Sequence, residues 1–159
     1  MFLGIGLAVV AMGLGITLFS TKGAHLELDG RILHVRVLSL NPNASIVVLD
    51  FRAKNPSDVQ FVVKNVELVL EPASGEPVVG TSISKADVDN VFKYEKLLGP
   101  KYNDVLTIRD KIGAHQTLDR MDGARFELGE TAIDARKSIK LRIEDMDGTM
   151  AEIVEKKGL

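Results

Sequence analysis

The chain has 159 residues, with 20 Lys and Arg against 22 Asp and Glu, and all of these charges follow Thr21. The near balance of charge argues against a general nucleic-acid binder, because no domain-wide excess of cations is present to neutralise phosphates. The absence of cysteine excludes disulfides, thiolate metal sites and a cysteine nucleophile. The composition therefore predicts an apolar N-terminal segment followed by one water-soluble domain over residues 22–159.

Residues 2–19 form an uncharged apolar run, FLGIGLAVVAMGLGITLF. As a helix at about 1.5 Å per residue, the run would be about 27 Å long, which matches the hydrocarbon core of a bilayer. The main alternative is a cleaved signal peptide, but no Lys or Arg precedes the run and no clear A-x-A site follows it. A buried helix of a soluble protein is a further alternative. We predict a single-pass transmembrane anchor over residues 1–21.

Small residues recur along this run with the spacing of one helix face, at Gly4, Ala8, Ala11 and Gly15. In lipid, such a face lets a second helix approach closely, so that van der Waals packing drives association. The alternative is that glycine is simply common in membrane helices. The predicted partners are therefore the lipid bilayer and a transmembrane protein.

Few charged residues indicate on which side of the membrane the soluble domain lies. Lys22, Arg31 and Arg36 follow the apolar run, which by the positive-inside rule favours a cytoplasmic domain. Large downstream domains, however, translocate largely regardless of charge. We expect the soluble domain on the extracytoplasmic, periplasmic side.

Alternating hydrophobicity dominates the chain after residue 23 and predicts half-buried strands at 31–38, 45–54, 59–70 and 138–144. The first strand would bury Leu33, Val35 and Val37. In the third strand, the apolar face changes sides near Lys64–Asn65, which indicates a β-bulge. The predicted fold is mainly β, an antiparallel β-sandwich.

Turn and cap residues mark the ends of these elements. Asp-Gly pairs at 29–30, 122–123 and 147–148 each predict a tight hairpin. One amphipathic helix is predicted to begin at Ser84, with Asp87 at the capping-box position, and to end at Gly99-Pro100.

Residues 46–80 carry a recognisable pattern, IVVLDFRAKNPSDVQFVVKNVELVLEPASGEPVVG. A strand of alternating hydrophobicity ends in Asn55-Pro56-Ser57, and a second alternating strand follows. This pattern resembles the late embryogenesis abundant type 2 family, or WHy domain, although Ser57 stands where that family usually has a second Asn. The resemblance covers residues 33–84 well and residues 138–153 loosely, and residues 85–135 do not align with the family.

The resemblance implies a β-sandwich without known catalysis that is linked to stress tolerance and is often attached to membranes. Physically, Pro56 holds Asn55 extended, and the Asn55 side chain can bond to nearby backbone groups. We therefore interpret Asn55, Pro56 and Ser57 as a structural turn.

No residue pattern predicts an enzyme, a cofactor, a metal site or a small-molecule substrate. The three histidines are not at metal-ligand spacing. The segment around Asp147-Gly148 fails the EF-hand pattern, because Ile143 and Val154 fall where acidic residues are needed. No nucleophile motif is present either.

One segment is a candidate contact surface. Tyr94, Leu97, Leu98 and Tyr102 lie close together at the C-terminal end of the predicted helix and just beyond it. An exposed aromatic loop on a rigid scaffold can bind a partner. The interpretation that we favour is that the helix caps one open end of the sandwich and buries these side chains.

The sequence therefore predicts a non-catalytic, membrane-anchored β-sandwich module with a binding or stress-protective role. The alternative function is a structural accessory subunit of a larger membrane complex, docked through its small-residue transmembrane face.

Overall fold

The computed structural model describes residues 27–156. The predicted anchor at residues 1–21 and its small-residue face, Gly4, Ala8, Ala11 and Gly15, lie outside the described residues. Within residues 27–156, no helix has the length and hydropathy needed to cross a bilayer.

The described chain is built mainly of strands, with two α-helices and one short 3-10 helix. The 3-10 helix spans Lys96–Leu98. The strands and α-helices are β1 (Asp29–Asn41), β2 (Ala44–Lys54), β3 (Phe61–Glu71), β4 (Val78–Val79), β5 (Thr81–Ser82), α1 (Lys85–Tyr94), β6 (Lys111–Ile112), β7 (Thr117–Phe126), α2 (Glu130–Asp134), β8 (Ser138–Asp145) and β9 (Met150–Val154).

The strands form two antiparallel sheets. Sheet one has the order β1-β2-β7-β5, and sheet two has the order β4-β3-β8-β9, with β6 paired to the start of β3. Apolar side chains from both sheets form one buried core, which includes Phe51 of β2, Leu68 of β3 and Leu141 of β8. The predicted antiparallel β-sandwich is therefore confirmed for residues 27–156.

The predicted strands are present, and the pairing shifts register within β1 and within β3. The β-bulge predicted in β3 is confirmed, because the pairing with β8 shifts between Val63 and Asn65. The prediction for β1 is wrong at Leu33. A shift between Ile32 and His34 leaves Leu33 unpaired with β2, so that Ile32 packs against the core instead.

Only one of the three Asp-Gly hairpins forms. Gly148 has φ 91° in the turn between β8 and β9, where its N–H donates to the Asp145 carbonyl oxygen at 2.9 Å. The pair at 29–30 lies inside β1, where a side chain on Gly30 would collide with the Arg52 carbonyl oxygen and with Ile153. The pair at 122–123 lies inside β7, opposite β2. Pairing with β2 therefore overrides the local turn preference at both sites.

The predicted helix begins as expected. The Asp87 N–H donates to Ser84 Oγ at 3.1 Å, and the Ser84 N–H donates to Asp87 Oδ2 at 3.3 Å, which completes the capping box. The α-helix ends at Tyr94, and the 3-10 helix continues the helical path to Leu98, before Gly99 turns the chain with φ 75°. The prediction of a single helix is wrong, because α2 is also present and its five residues are too few for a clear periodic pattern.

The helix α1 lies against the outer face of sheet one. Val88 of α1 packs with Val48 of β2, Met121 of β7 and Val105 in a second buried cluster on that face. The favoured prediction, in which the helix caps an open end of the sandwich, is therefore wrong. Sheet one is covered on both faces, by sheet two on its inner face and by residues 84–107, which we call the outer layer, on its outer face.

Candidate functional site

The contact loop, residues 94–102, carries the exposed apolar side chains predicted from the sequence. Leu97 is 98% exposed, Tyr94 is 69% exposed and Tyr102 is 61% exposed, whereas Leu98 is half-buried. The expectation that the helix buries these side chains is therefore wrong for three of the four.

A buried ion pair holds the contact loop against sheet one. Arg36 of β1 pairs with the carboxylate of Asp50 on β2, and Asp50 is fully buried. Arg36 Nη1 also donates to the carbonyl oxygens of Leu98 at 3.1 Å and Pro100 at 2.8 Å. Asn103 Nδ2 donates to Asp50 Oδ1 at 2.8 Å. Leu98 and Pro100 of the contact loop, and Asn103 just after it, are thus hydrogen-bonded to side chains of sheet one.

Aromatic rings complete this support. The guanidinium carbon of Arg36 lies 4.5 Å from the centre of the Phe92 ring and 5.3 Å from that of Tyr102. The ring of His34 stacks on Tyr102, with centroids 5.7 Å apart and an angle of 29° between the planes. Contacts of a cation with ring faces are favourable, and they strengthen where the cation is shielded from water. One face of Tyr102 is therefore fixed while much of its ring remains exposed.

Lysine contacts tie the far end of the contact loop to the helix. Lys101 Nζ donates to Asp89 Oδ1 at 2.6 Å, and Lys85 Nζ donates to Asp89 Oδ2 at 3.0 Å. These hydrogen bonds lower the pKa of the Asp89 carboxyl group below its usual value, and the bond from Lys101 has the larger effect. Because the Asp89 side chain is in contact with water, each bond adds little stability, but the bond from Lys101 helps to define the position of the loop.

The Asn55-Pro56-Ser57 turn is directed into the fold. Asn55 is buried, and its Nδ2 donates to the carbonyl oxygens of Val59 at 2.7 Å and Ile112 at 3.1 Å. Its Oδ1 accepts from the backbone N–H and the hydroxyl of Ser57, at 3.0 Å and 2.8 Å. The side-chain amide of Asn55 is therefore engaged in joining the end of β2 to β3 and β6.

A cleft between the two sheets was not predicted. It has a volume of about 320 Å³ and is lined by the β3 bulge, by residues 82–85 and by residues 105–108. Asp122 of β7 also lines it. Asp122 pairs with Leu49, a core residue, and residues directly opposite in an antiparallel pair share a face. The carboxyl group of Asp122 is therefore on the inner, apolar face of sheet one.

The environment of this carboxyl group is unusual. Asp122 is 4% exposed, and its Oδ2 has no hydrogen-bond donor within the described part of the chain. Burial raises the pKa of Asp122 to about 7, against a smaller lowering by the backbone N–H of Gly123. Loss of hydration penalises the ionised form of a buried carboxyl group, which explains why the pKa of Asp122 is raised.

Sequence reasoning missed Asp122 because Asp-Gly is a strong hairpin signal. The usable signal was alternation in residues 118–126, where Leu118, Ala124 and Phe126 share a face with Asp122. A charged residue at an inner position of such a run indicates a buried polar group.

The other polar clusters serve the fold. In residues 27–156, no group of three or more His, Asp or Glu residues could hold a metal ion. Asp145 accepts the backbone N–H groups of Val62 at 2.8 Å and Met146 at 2.7 Å, which fixes the β8–β9 turn beside β3.

Comparison with known proteins gives one structural similarity. No protein-family model matches the chain, and no curated protein matches it. An uncharacterised β-sandwich protein from Clostridium difficile 630 aligns with a TM-score of 0.40 and 10% identity, over 82% of this chain and 86% of that one.

Proposed function

We propose that the protein is a non-catalytic, membrane-anchored β-sandwich module that binds a protein partner through the contact loop. The observation that carries the proposal is Leu97, whose side chain is 98% exposed on a segment held by the Arg36–Asp50 pair. An exposed apolar side chain on a well-supported backbone can enter a partner's pocket with little loss of conformational freedom.

Membrane attachment supplies the second part of the proposal. The uncharged run at residues 2–19 is long enough for a transmembrane helix, and the soluble domain begins shortly after it. Such an anchor would keep the contact loop close to the membrane and raise the effective concentration of membrane partners.

The first experiment extracts the full-length protein from native membranes with a mild detergent and identifies co-purifying components by native mass spectrometry. The test variant carries Tyr94→Ser and Leu97→Ser. The control is Met146→Ser, which removes an exposed apolar side chain from the β8–β9 turn. We expect a stoichiometric partner with the wild type and the control, and loss of that partner with the test variant. Retention of every partner by the test variant would refute the role of the contact loop.

A structural accessory subunit of a larger membrane complex is the second candidate. The observation that favours it is the small-residue spacing at Gly4, Ala8, Ala11 and Gly15. Replacing all four with Leu keeps the segment apolar but blocks close helix approach. Release of the protein from its complex while it stays in the membrane would support this candidate, and unchanged co-purification would remove it.

A stress-protective role rests on the resemblance of residues 46–80 to the late embryogenesis abundant type 2 family. The buried Asn55 turn is compatible with that resemblance, since it joins two alternating strands. The role is tested by deleting the gene in its native host and measuring survival after drying. Equal survival of the deletion strain and the wild type would argue against it.

A further inference from the structure

The cleft beside Asp122 lies at a break in the edge of sheet one. β5 covers β7 only opposite Arg125 and Ala124, and beyond it the Ile83 N–H donates to the Gly123 carbonyl oxygen at 3.1 Å. On the other side, the Leu106 N–H donates to the Met121 carbonyl oxygen at 2.8 Å. Asp122 lies between these two contacts. The edge of β7 beside Asp122 is therefore next to the cleft and not next to another strand.

The walls of the cleft are suited to a small amphipathic molecule. Apolar side chains come from Val66 and Ile83 and from the 105–108 segment, while Asn65 and Ser82 add polar groups. Ser82 pairs with Ala124, a core residue, and therefore lies on the same side of sheet one as Asp122. A volume of about 320 Å³ is at the lower end of the range for ligand pockets.

The charge in the cleft is unbalanced. Among the described residues that line it, Lys85 is the one charged residue besides Asp122, and Lys85 Nζ donates to Asp89 of α1. The β3 bulge, residues 82–84 and residues 105–108 contribute uncharged side chains to the lining. A buried carboxylate with an unpaired oxygen carries a large desolvation cost, which a bound cationic donor would offset.

From this geometry we infer that the cleft binds a small primary amine, with the ammonium group donating to the carboxylate of Asp122 and a short alkyl chain packed between the two sheets. The site is separate from the contact loop, which lies on the outer face of sheet one. It adds a small-molecule ligand to the binding role proposed above.

The affinity of the cleft for an amine should depend on pH, because the Asp122 carboxyl group must be ionised. Binding of an ammonium ion requires the ionised form of Asp122, whose pKa is raised to about 7 by burial. Affinity for a primary amine should therefore increase roughly tenfold between pH 6 and pH 8, as the ionised fraction rises. Lys85 is the other charged group that lines the cleft, and its ion pair with Asp89 directs its charge toward the surface.

The test is isothermal titration calorimetry of the full-length protein in detergent micelles, with n-butylammonium as the probe and n-butanol as its uncharged analogue. We expect saturable binding of one n-butylammonium per chain at pH 8, and at least tenfold weaker binding of n-butanol. Absence of saturable n-butylammonium binding, or equal binding of the two probes, would overturn the inference.

Three variants locate the site. Asp122→Asn keeps the shape of the side chain but removes its charge, and Ser82→Phe fills the cleft while Asp122 is retained. Each should weaken n-butylammonium binding at least tenfold, whereas Glu76→Gln, in the exposed loop between β3 and β4, should leave it unchanged. Binding by Asp122→Asn or by Ser82→Phe that equals the wild type would overturn the inference.

Discussion

The two faces of sheet one are covered in different ways. The inner face packs against sheet two through a continuous set of fully buried apolar side chains, such as Phe51 and Leu49. The outer face has a smaller apolar cluster around Val88, and the Arg36–Asp50 pair lies beside it. Apolar contact therefore dominates inside the sandwich, while ionic and hydrogen-bond contacts contribute much of the attachment outside it. The outer layer should accordingly be the region that detaches most readily while the sandwich stays folded.

The largest expected effect comes from removing a ring from the inner core. Phe51→Ala should lower the free energy of unfolding by about 3–5 kcal/mol, because it leaves a cavity in a closely packed interior. Urea denaturation measures the change. Val88→Ala, in the outer cluster, removes fewer atoms and should cost about 2 kcal/mol. A loss in Val88→Ala as large as that in Phe51→Ala would contradict this order, because the smaller side chain would then contribute as much to stability as the ring.

The second prediction concerns Asp122, a buried charged residue on the inner face of sheet one. Its folded-state pKa is raised to about 7 from an ordinary value of 3.8. The unfolded chain therefore releases this proton at lower pH than the folded chain, so the stability that Asp122 contributes should fall as pH rises from about 4 to about 7. Above that range the loss should level off, at up to about 4 kcal/mol.

Urea denaturation of the wild type and of Asp122→Asn between pH 4 and pH 8 checks this prediction. The stability of the wild type relative to the variant should decrease as pH rises, because the side-chain amide of the variant has no proton to lose in this range. Glu76→Gln serves as the control, since its carboxyl group is exposed. A wild-type-minus-variant difference that stays constant over this pH range would contradict the buried state of Asp122.

The third prediction separates the outer layer from the core. Asp50→Asn leaves the Arg36 guanidinium without its buried carboxylate and should cost about 3 kcal/mol, since breaking one side of a buried pair strands the other charge. The contact loop should loosen first, so limited trypsin digestion should cut faster at Lys96 within it. Proteolysis rates and urea denaturation measure the two effects.

The double variant Asp50→Leu with Arg36→Met is the companion to this test. It removes both charges, and it should recover more than half of the stability lost in Asp50→Asn, because no uncompensated charge stays buried. If the double variant is less stable than Asp50→Asn, the hydrogen bonds from Arg36 to Leu98 and Pro100 contribute more than the ion pair.

The smallest expected effect on stability comes from the contact loop itself. Leu97→Ser should change the free energy of unfolding by less than about 0.5 kcal/mol, because the side chain is 98% exposed. Thermal unfolding measures this. A larger loss would mean that Leu97 supports the fold rather than a partner contact.

Much of the sandwich could be predicted because its signals are local and periodic. Ile139, Leu141 and Ile143 alternate in the sequence and are all buried on the inner face. The capping box at Ser84 and Asp87 likewise involves residues three apart, and it forms as expected. By contrast, the bulge that displaces Leu33 depends on the pairing of β1 with β2, which the sequence of β1 does not reveal.

The candidate site was predictable only in part, for a related reason. The exposed residues of the contact loop stand together in the sequence, but their support comes from Arg36 and Asp50, which lie far earlier in the chain. Asp50 alternates with the apolar residues of β2, and such alternation predicts a polar, solvent-facing position for it. It is buried there because the outer layer covers it, with Asn103 and the Arg36 guanidinium bonded to its carboxylate.

The sequence by itself determined the antiparallel strands, the capped helix and the apolar contact residues, because spacing and side-chain type act over a few residues. The tertiary structure alone decided that α1 covers the outer face of sheet one and that Asp-Gly at 122–123 runs through a strand. It also decided that the carboxyl group of Asp122 enters the space between the sheets. These outcomes depend on contacts between residues far apart in the chain, and long-range pairing can override a local turn preference when it buries more of the backbone and side chains.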